Sequence, residues 1–276
     1  MALKGIDVSH NNRVYDWQRA AADGVRFAMI RAALGSESGR LTVDTQFAAN
    51  IKGAAAAGIA VGVYVYSAAL TTAAAKLEAE NLVALLVGYR ELITWPVAYD
   101  IEMTAQARKD RRVINTEQAV AFCSVIRAAG YIPALYVNPA WMTDFINYDA
   151  VKNATRADLW LADWRRGKMP DSRAGMWQYE VRGTAADVKA GRATVVGSVD
   201  GVSVPIDVNI SYKDYGEENM VRYKYAYECP DWAQDTLKKL DRKKYLTGKG
   251  DDKGLDLTED MLRMLVVLDR AGAFGE

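Results

Sequence analysis

Residues 44–88 read DTQFAANIKGAAAAGIAVGVYVYSAALTTAAAKLEAENLVALLVG, and the architecture turns on them. Gly53 to Ala75 carries no charge and is long enough to span a bilayer. The run is interrupted, however. Gly58 reads as a helix stop, and IAVGVYVY (59–66) reads as a buried strand. Tyr64, Tyr66, Ser67, Thr71 and Thr72 put polar groups throughout it. The segment is therefore read as helix, strand, helix, and no membrane span is expected.

The same alternation extends in both directions. Strand candidates are 4–8, 26–32, 59–66, 97–102, 132–137, 158–162 and 175–179. A last pair, 193–199 and 204–208, flanks the Asp200–Gly201 turn and is expected to form a hairpin. Helix candidates are 15–22, 44–57, 72–88, 116–129 and 139–147. Gly58 and Gly130 follow two of them as C-cap glycines, and Asn115 or Thr116 is expected to cap the fourth. Strands and helices alternating at this spacing imply parallel strands with crossover helices. The strands are near-continuously apolar, as strands buried on both faces should be. The expected fold is α/β: an irregular, flattened TIM-like (β/α) barrel.

After Ser211 the composition changes. The expected organisation is a barrel over 1–212, a polar, tyrosine-rich linker over 213–228, and a small α-helical module over 229–276. In the module Pro230 opens one helix. Thr258 caps a second, whose apolar stripe is Met261, Leu262, Leu265, Val266 and Leu268. A core that small is marginal alone.

Composition narrows the chemistry. Of 276 residues, 35 are Lys or Arg and 35 are Asp or Glu, so no basic surface suggests nucleic acid. His10 is the only histidine, and Cys123 and Cys229 are the only cysteines, too few and too scattered for a zinc site or a disulfide framework. No cofactor or metal is expected. The N-terminus, MALKGIDVSH, lacks the apolar run of a signal peptide.

In such a barrel the site lies at the C-terminal ends of the strands. Those ends carry Asp7, Tyr64, Tyr66, Asp100, Glu102, Tyr136, Trp160, Asp163, Trp164, Trp177, Gln178, Asp207 and Asn209. Asp100 and Glu102 are two apart on one strand, so they face the same way with Cα atoms about 6–7 Å apart. Like charges that close raise one pKa, leaving a proton donor beside an anion, as glycosidic cleavage requires. Asp7 and Asp207, on the first and last strands, become neighbours when the barrel closes. Aromatic faces around an acidic mouth suit a sugar. His10 and Arg31 lie near the same ends, as site residues or as hydrogen-bonded supports. An acid cluster also suits a divalent cation, which keeps a metal-dependent phosphatase-like reading open.

Eight strings in order carry a family resemblance: GIDVSH (5–10), FAMIRAALG (27–35), DTQFAANIKGAAAAGIAVGVYVYS (44–67), WPVAYDIE (95–102), ALYVN (134–138), LWLADW (159–164), MWQYE (176–180) and IDVNIS (206–211). Together they resemble glycoside hydrolase family 25, the Chalaropsis-type lysozymes common among phage endolysins. The resemblance implies cleavage of the β-1,4 bond from N-acetylmuramic acid to N-acetylglucosamine in bacterial peptidoglycan. It implies Glu102 as proton donor, Asp100 as partner acid, and Asp7 and Asp207 as flanking acids. Tyr64, Tyr66, Tyr136, Trp160, Trp177 and Gln178 fall at positions resembling glycan contacts. Trp164 departs from the tyrosine of many relatives. The acid pair on one strand suits a substrate-assisted route, with Asp100 orienting the sugar's N-acetyl group. The tail resembles the helical tails of prophage endolysins, which implies wall anchoring or a homodimer. The resemblance also implies synthesis in a host cytoplasm and release through a holin-type pore. A non-catalytic peptidoglycan-binding protein and a chitinase-like glycosidase remain alternatives. The chitinase's longer aspartate run is absent, since Val97, Ala98 and Tyr99 precede Asp100.

Overall fold

The structure is a computed structural model, and it describes residues 2–164, 167, 171–218, 222–248, 254–255 and 257–275. The chain divides into two units, Met1–Tyr215 and Gly216–Glu276.

In chain order the first unit comprises β1 (Leu3–Val8), α1 (Trp17–Ala22), β2 (Val25–Gly35), β3 (Leu41–Val43), α2 (Phe47–Ala56), β4 (Ala60–Tyr66), α3 (Thr72–Leu86), β5 (Ile93–Asp100), α4 (Arg112–Ala128), β6 (Pro133–Val137), α5 (Pro139–Asp144), α6 (Tyr148–Thr155), β7 (Asp158–Ala162), β8 (Ala174–Gly183), α7 (Ala185–Lys189), β9 (Val195–Val196) and β10 (Ile206–Ser211). Strands β1, β2, β4, β5, β6, β7, β8 and β10 close into a barrel, because β1 pairs with both β10 and β2. The pairs from β1 round to β8 are parallel, and β10 runs antiparallel to both of its neighbours. The expected irregular α/β barrel is what forms. The uncharged stretch after Gly53 is divided among α2, β4 and α3, and no helix among the described residues is long and apolar enough to cross a membrane.

Side-chain alternation sorts the core into two layers. Val61, Val63, Val65, Ala28 and Ile30 face outward under the helices with Ile51, Leu82 and Phe122. Phe27, Met29, Trp95, Ala98, Ala134, Met176 and Tyr215 fill the barrel, large against small. Phe27 stacks on Trp95 with ring centroids 4.1 Å apart. The space for that pair comes from Gly5, where a Cβ would lie 2.3 Å from the Phe27 ring. This apolar plug closes the N-terminal end and leaves polar side chains at the other.

Several expectations are corrected. No hairpin joins the last strands: β9 pairs in parallel with β8, and the Asp200–Gly201 turn packs on the start of α1. There the Gly201 carbonyl accepts from the backbone of Tyr15 and Asp16, and Arg19 pairs with Asp200. Asn115 does not cap α4, which begins at Arg112. It is buried and donates to the carbonyls of Gln106 and Phe145. The helix expected over 139–147 breaks, and Asn147 caps the unforeseen α6 by accepting from Ala150. Gly58 and Gly130 do take positive φ, 72° and 78°.

A single turn, α8 (Tyr215–Glu218), covers the boundary between the units in sequence. The second unit holds β11 (Arg222–Tyr223), α9 (Asp231–Arg242), β12 (Leu257–Thr258) and α10 (Glu259–Arg270). β11 and β12 pair antiparallel, so part of the stretch read as a linker belongs to this unit's own sheet. Thr258 caps α10 as expected. The core is small: Cys229, Ala233, Leu237, Leu257, Leu262 and Val266. Met261 and Leu268, assigned to the core stripe from sequence, are exposed instead, together with Met264 and Val267.

Candidate active site

At the C-terminal rim the inward positions turn polar and line a groove of about 660 Å³. Of the ten residues given roles by the resemblance, together with His10 and Arg31, ten of the twelve lie in its wall: Asp7, Arg31, Tyr64, Tyr66, Asp100, Glu102, Tyr136, Trp160, Gln178 and Asp207. Ser9, Asn11, Asn12, Trp164, Arg192 and Thr194 also contribute, and of these only Ser9 and Trp164 figure in the sequence argument. Asp7 is the penultimate residue of β1 and sits directly opposite Asp207 in the β1–β10 ladder. Because β10 is antiparallel, the start of that strand, and not its end, reaches the rim. Asp100 ends β5. Glu102, expected on the same strand, lies two residues beyond it because β5 stops at Asp100; it opens to the groove, whereas Asp100 is 5% exposed.

The four acids differ in environment. Asp7 Oδ2 accepts from Asn209 Nδ2 at 2.7 Å and from Gln178 Nε2 at 2.9 Å. Burial pushes its carboxyl up, those amides pull back, and it settles at about 6. Asp207 lacks such donors, and burial followed by the charges of Asp7 and Glu102 raises it to about 8. Asp100 is raised well above the carboxylate range by burial, then by Glu102 and Asp7, with Arg31 opposing. Its Oδ1 is buried with no hydrogen-bond partner. Burial and then Asp7 raise Glu102 as well. Near neutrality the cluster thus holds an anion and proton-bearing acids side by side.

The aromatic residues divide into floor and walls. Trp160 is 1% exposed, packs edge-on to Tyr136 and Tyr64, and donates from Nε1 to Asn209 Oδ1, so it is floor. Tyr66 and Trp164 present open surface. Trp177 does not reach the groove. It alternates with Gln178 on β8, points outward, and donates to the Asp163 carbonyl. His10 is likewise absent from the wall: its backbone N–H donates to Asp44 Oδ2 and its ring meets Arg31 Nη2. Arg31 Nε donates to the same Asp44 oxygen at 2.8 Å. Burial alone would raise Asp44, but the N–H groups of Gln46 and His10 and the Arg31 guanidinium hold it below its usual range. Sequence reasoning missed Asp44 as the residue that fixes Arg31; its one signal was the start of the DTQF string. Among the described residues no three His, Cys, Asp or Glu side chains are placed to hold a metal ion.

Comparison with known proteins agrees with this geometry. The family profile described as Glycosyl hydrolases family 25 matches residues 6–188. Among solved structures, the chain resembles the CTP1L endolysin (TM-score 0.61, 17% identity, 96% of this chain and 97% of that one). It also resembles a family 25 glycosyl hydrolase from Bacillus anthracis (TM-score 0.58, 21% identity, 79% and 92%). The modular autolysin LytC of Streptococcus pneumoniae, solved with a synthetic peptidoglycan ligand, is similar at TM-score 0.60 and 21% identity over 76% of this chain; the match spans 47% of LytC. A comparison with curated proteins finds no match. The profile match takes in Asp7, Asp100 and Glu102, and the barrel around them is the one these structures share, so the chain belongs to glycosyl hydrolase family 25.

Proposed function

We propose that the chain is a peptidoglycan N-acetylmuramidase, cleaving the β-1,4 bond between N-acetylmuramic acid and N-acetylglucosamine. The observation that carries this reading is the convergence of four carboxylates with unequal proton affinity in one aromatic-walled groove. Glu102, open to the groove and raised by burial and by Asp7, donates its proton to the leaving glycosidic oxygen. Asp100 presents a buried, unsatisfied oxygen, the acceptor that an acetamido N–H of the substrate needs. Holding that N–H aims the acetamido oxygen at the anomeric carbon, the substrate-assisted route. Asp7, the anion of the cluster near neutrality, supplies the negative charge that stabilises the oxocarbenium-like transition state, with Asp207 flanking it across the β1–β10 ladder. Tyr66 and Trp164 offer ring faces to the glycan.

In this reading residues 1–212 are the catalytic region, and the helical second unit anchors the enzyme to the wall or pairs it with a second copy. Its exposed Met261, Met264, Val267 and Leu268 supply a contact face. The enzyme acts at the bacterial cell wall, released by a holin-type pore in a phage lytic programme. The test is mass spectrometry of soluble fragments after incubation with purified peptidoglycan and borohydride reduction. Reduced muramic acid ends are expected, and reduced glucosamine ends overturn the bond assignment. Glu102→Gln is expected to abolish release, with melting temperature and wall binding retained.

A further inference from the structure

We propose that Trp164 is a positioning residue: its indole N–H fixes the orientation of the Gln178 amide, and the amide keeps Asp7 in the anionic form. The inference rests on the proposed function only for its kinetic consequence.

A chain of hydrogen bonds links the indole to the carboxylate. An amide oxygen and nitrogen look alike in shape, so their placement follows from their partners. An indole N–H can only donate. Trp160 Nε1 lies 2.8 Å from Asn209 Oδ1, which settles that amide and turns Nδ2 toward Asp7. Trp164 Nε1 lies 3.1 Å from Gln178 Oε1 and settles the second amide in the same way. Gln178 Nε2 is thereby committed to Asp7 Oδ2. The other neighbour of Gln178 Oε1 is the Tyr136 hydroxyl at 3.0 Å. A hydroxyl can donate or accept, so Tyr136 is compatible with either amide orientation. Apart from Asp7 itself, which discriminates only while it is ionised, Trp164 is the partner that fixes the orientation.

Without that donor the amide can turn over. Nε2 then donates to the Tyr136 oxygen, and Oε1 faces Asp7 Oδ2. Two acceptors in contact require a proton, so Asp7 becomes a carboxylic acid donating to Gln178. The other charged and titratable groups facing Asp7 are Asp207 from β10, Asp100 and Glu102 from β5 and its following loop, Tyr64 from β4 and Tyr136 from β6. Burial among these groups favours the protonated form of Asp7. Arg31, in the same groove, acts on Asp100 and is already held by Asp44. The two amide donors, followed by a backbone hydrogen bond at Asp7, oppose that burial. Trp164 itself is 47% exposed at the groove wall, so it can be changed without opening the core.

The experiment is Trp164→Phe, which keeps a ring for stacking and removes the N–H. Asp7 is titrated directly by carbon-13 NMR of carboxyl-labelled aspartates in the full chain, with Asp7→Asn identifying the signal. The Asp7 midpoint is expected to rise by about one pH unit, the size set by one charge-assisted hydrogen bond. Gln178→Met should give a similar rise, and the double variant should add little to it. On peptidoglycan, the acidic limb of kcat/KM should move up by the same amount while the basic limb stays. A role confined to stacking predicts a uniform loss at every pH and an unchanged midpoint. An unchanged Asp7 midpoint in Trp164→Phe overturns the inference whatever the activity does. Absence of wall hydrolysis by the unmodified chain would defeat the proposed function, and the titration would still decide the role of Trp164.

Discussion

Asp207→Asn should stabilise the chain, and more so at neutral pH than in acid. In the folded chain Asp207 holds its proton up to about 8, against roughly 3.9 for a free aspartate. The sign follows from linkage. A carboxyl raised on folding gives its full stability below the unfolded pKa and loses it as pH climbs to the folded pKa. Between those limits the unfolded chain releases a proton that the folded one keeps. At pH 7.5 the ceiling on this cost is about 5 kcal/mol, at 1.36 kcal/mol per unit. Water in the groove, and proton sharing with Asp7 directly opposite, reduce it, and we expect a gain of about 2 kcal/mol. Asparagine removes the titration and keeps the shape. For a unit of this size that gain is a rise of about 4–8 °C in Tm. At pH 4.5 the gain should shrink to about 0.5 kcal/mol. Thermal melts of both chains at both pH values make the test, and activity is expected to fall. A gain of equal size at the two pH values, or a less stable variant at pH 7.5, would refute the electrostatic account of the cluster.

Three other perturbations probe separate parts of the molecule. Asp44→Asn leaves the buried Arg31 guanidinium without its anion; a loss of about 3 kcal/mol is expected in denaturant melts, with reduced lysis as Arg31 drifts toward Asp100. Gly62→Ala places a Cβ 2.5 Å from Met29 Sδ and 2.8 Å from the Pro96 carbonyl, so about 1–3 kcal/mol should be lost, and an unchanged Tm would show that the interior has slack. Deleting 216–276 should leave the barrel's melting unchanged and weaken wall pull-down; equal sedimentation and pull-down for both lengths would remove the tail from the functional account.

Much of the fold was legible because local rules governed it. The apolar runs at 59–66, 132–137 and 158–162 can be strands in a doubly covered parallel sheet and little else. Glycines 58 and 130 mark helix ends because a glycine takes positive φ without steric cost. The acids stood out as charges at the ends of apolar strands. What failed locally did so for a stated reason. The turn at Asp200 and Gly201 has hairpin chemistry, but its partners are Tyr15, Asp16 and Arg19, far back in sequence. Asn115 has a capping side chain, yet buried carbonyls claimed it first.

By itself, then, the sequence determined an alternating barrel, a second small unit, and an acidic, aromatic rim built around Asp100 and Glu102. Only the tertiary structure decided which side chains meet there. It turned β10 antiparallel and so set Asp207 against Asp7. It pointed Trp177 outward and Gln178 inward. It brought Gln178 to Asp7 across 171 residues and Asn209 to Asp7 across 202. Strand periodicity fixes which residues share a face within one strand. Proton affinity depends on the burial, donors and charges that barrel closure brings from the others, so the unequal proton affinities of the four acids belong to the fold.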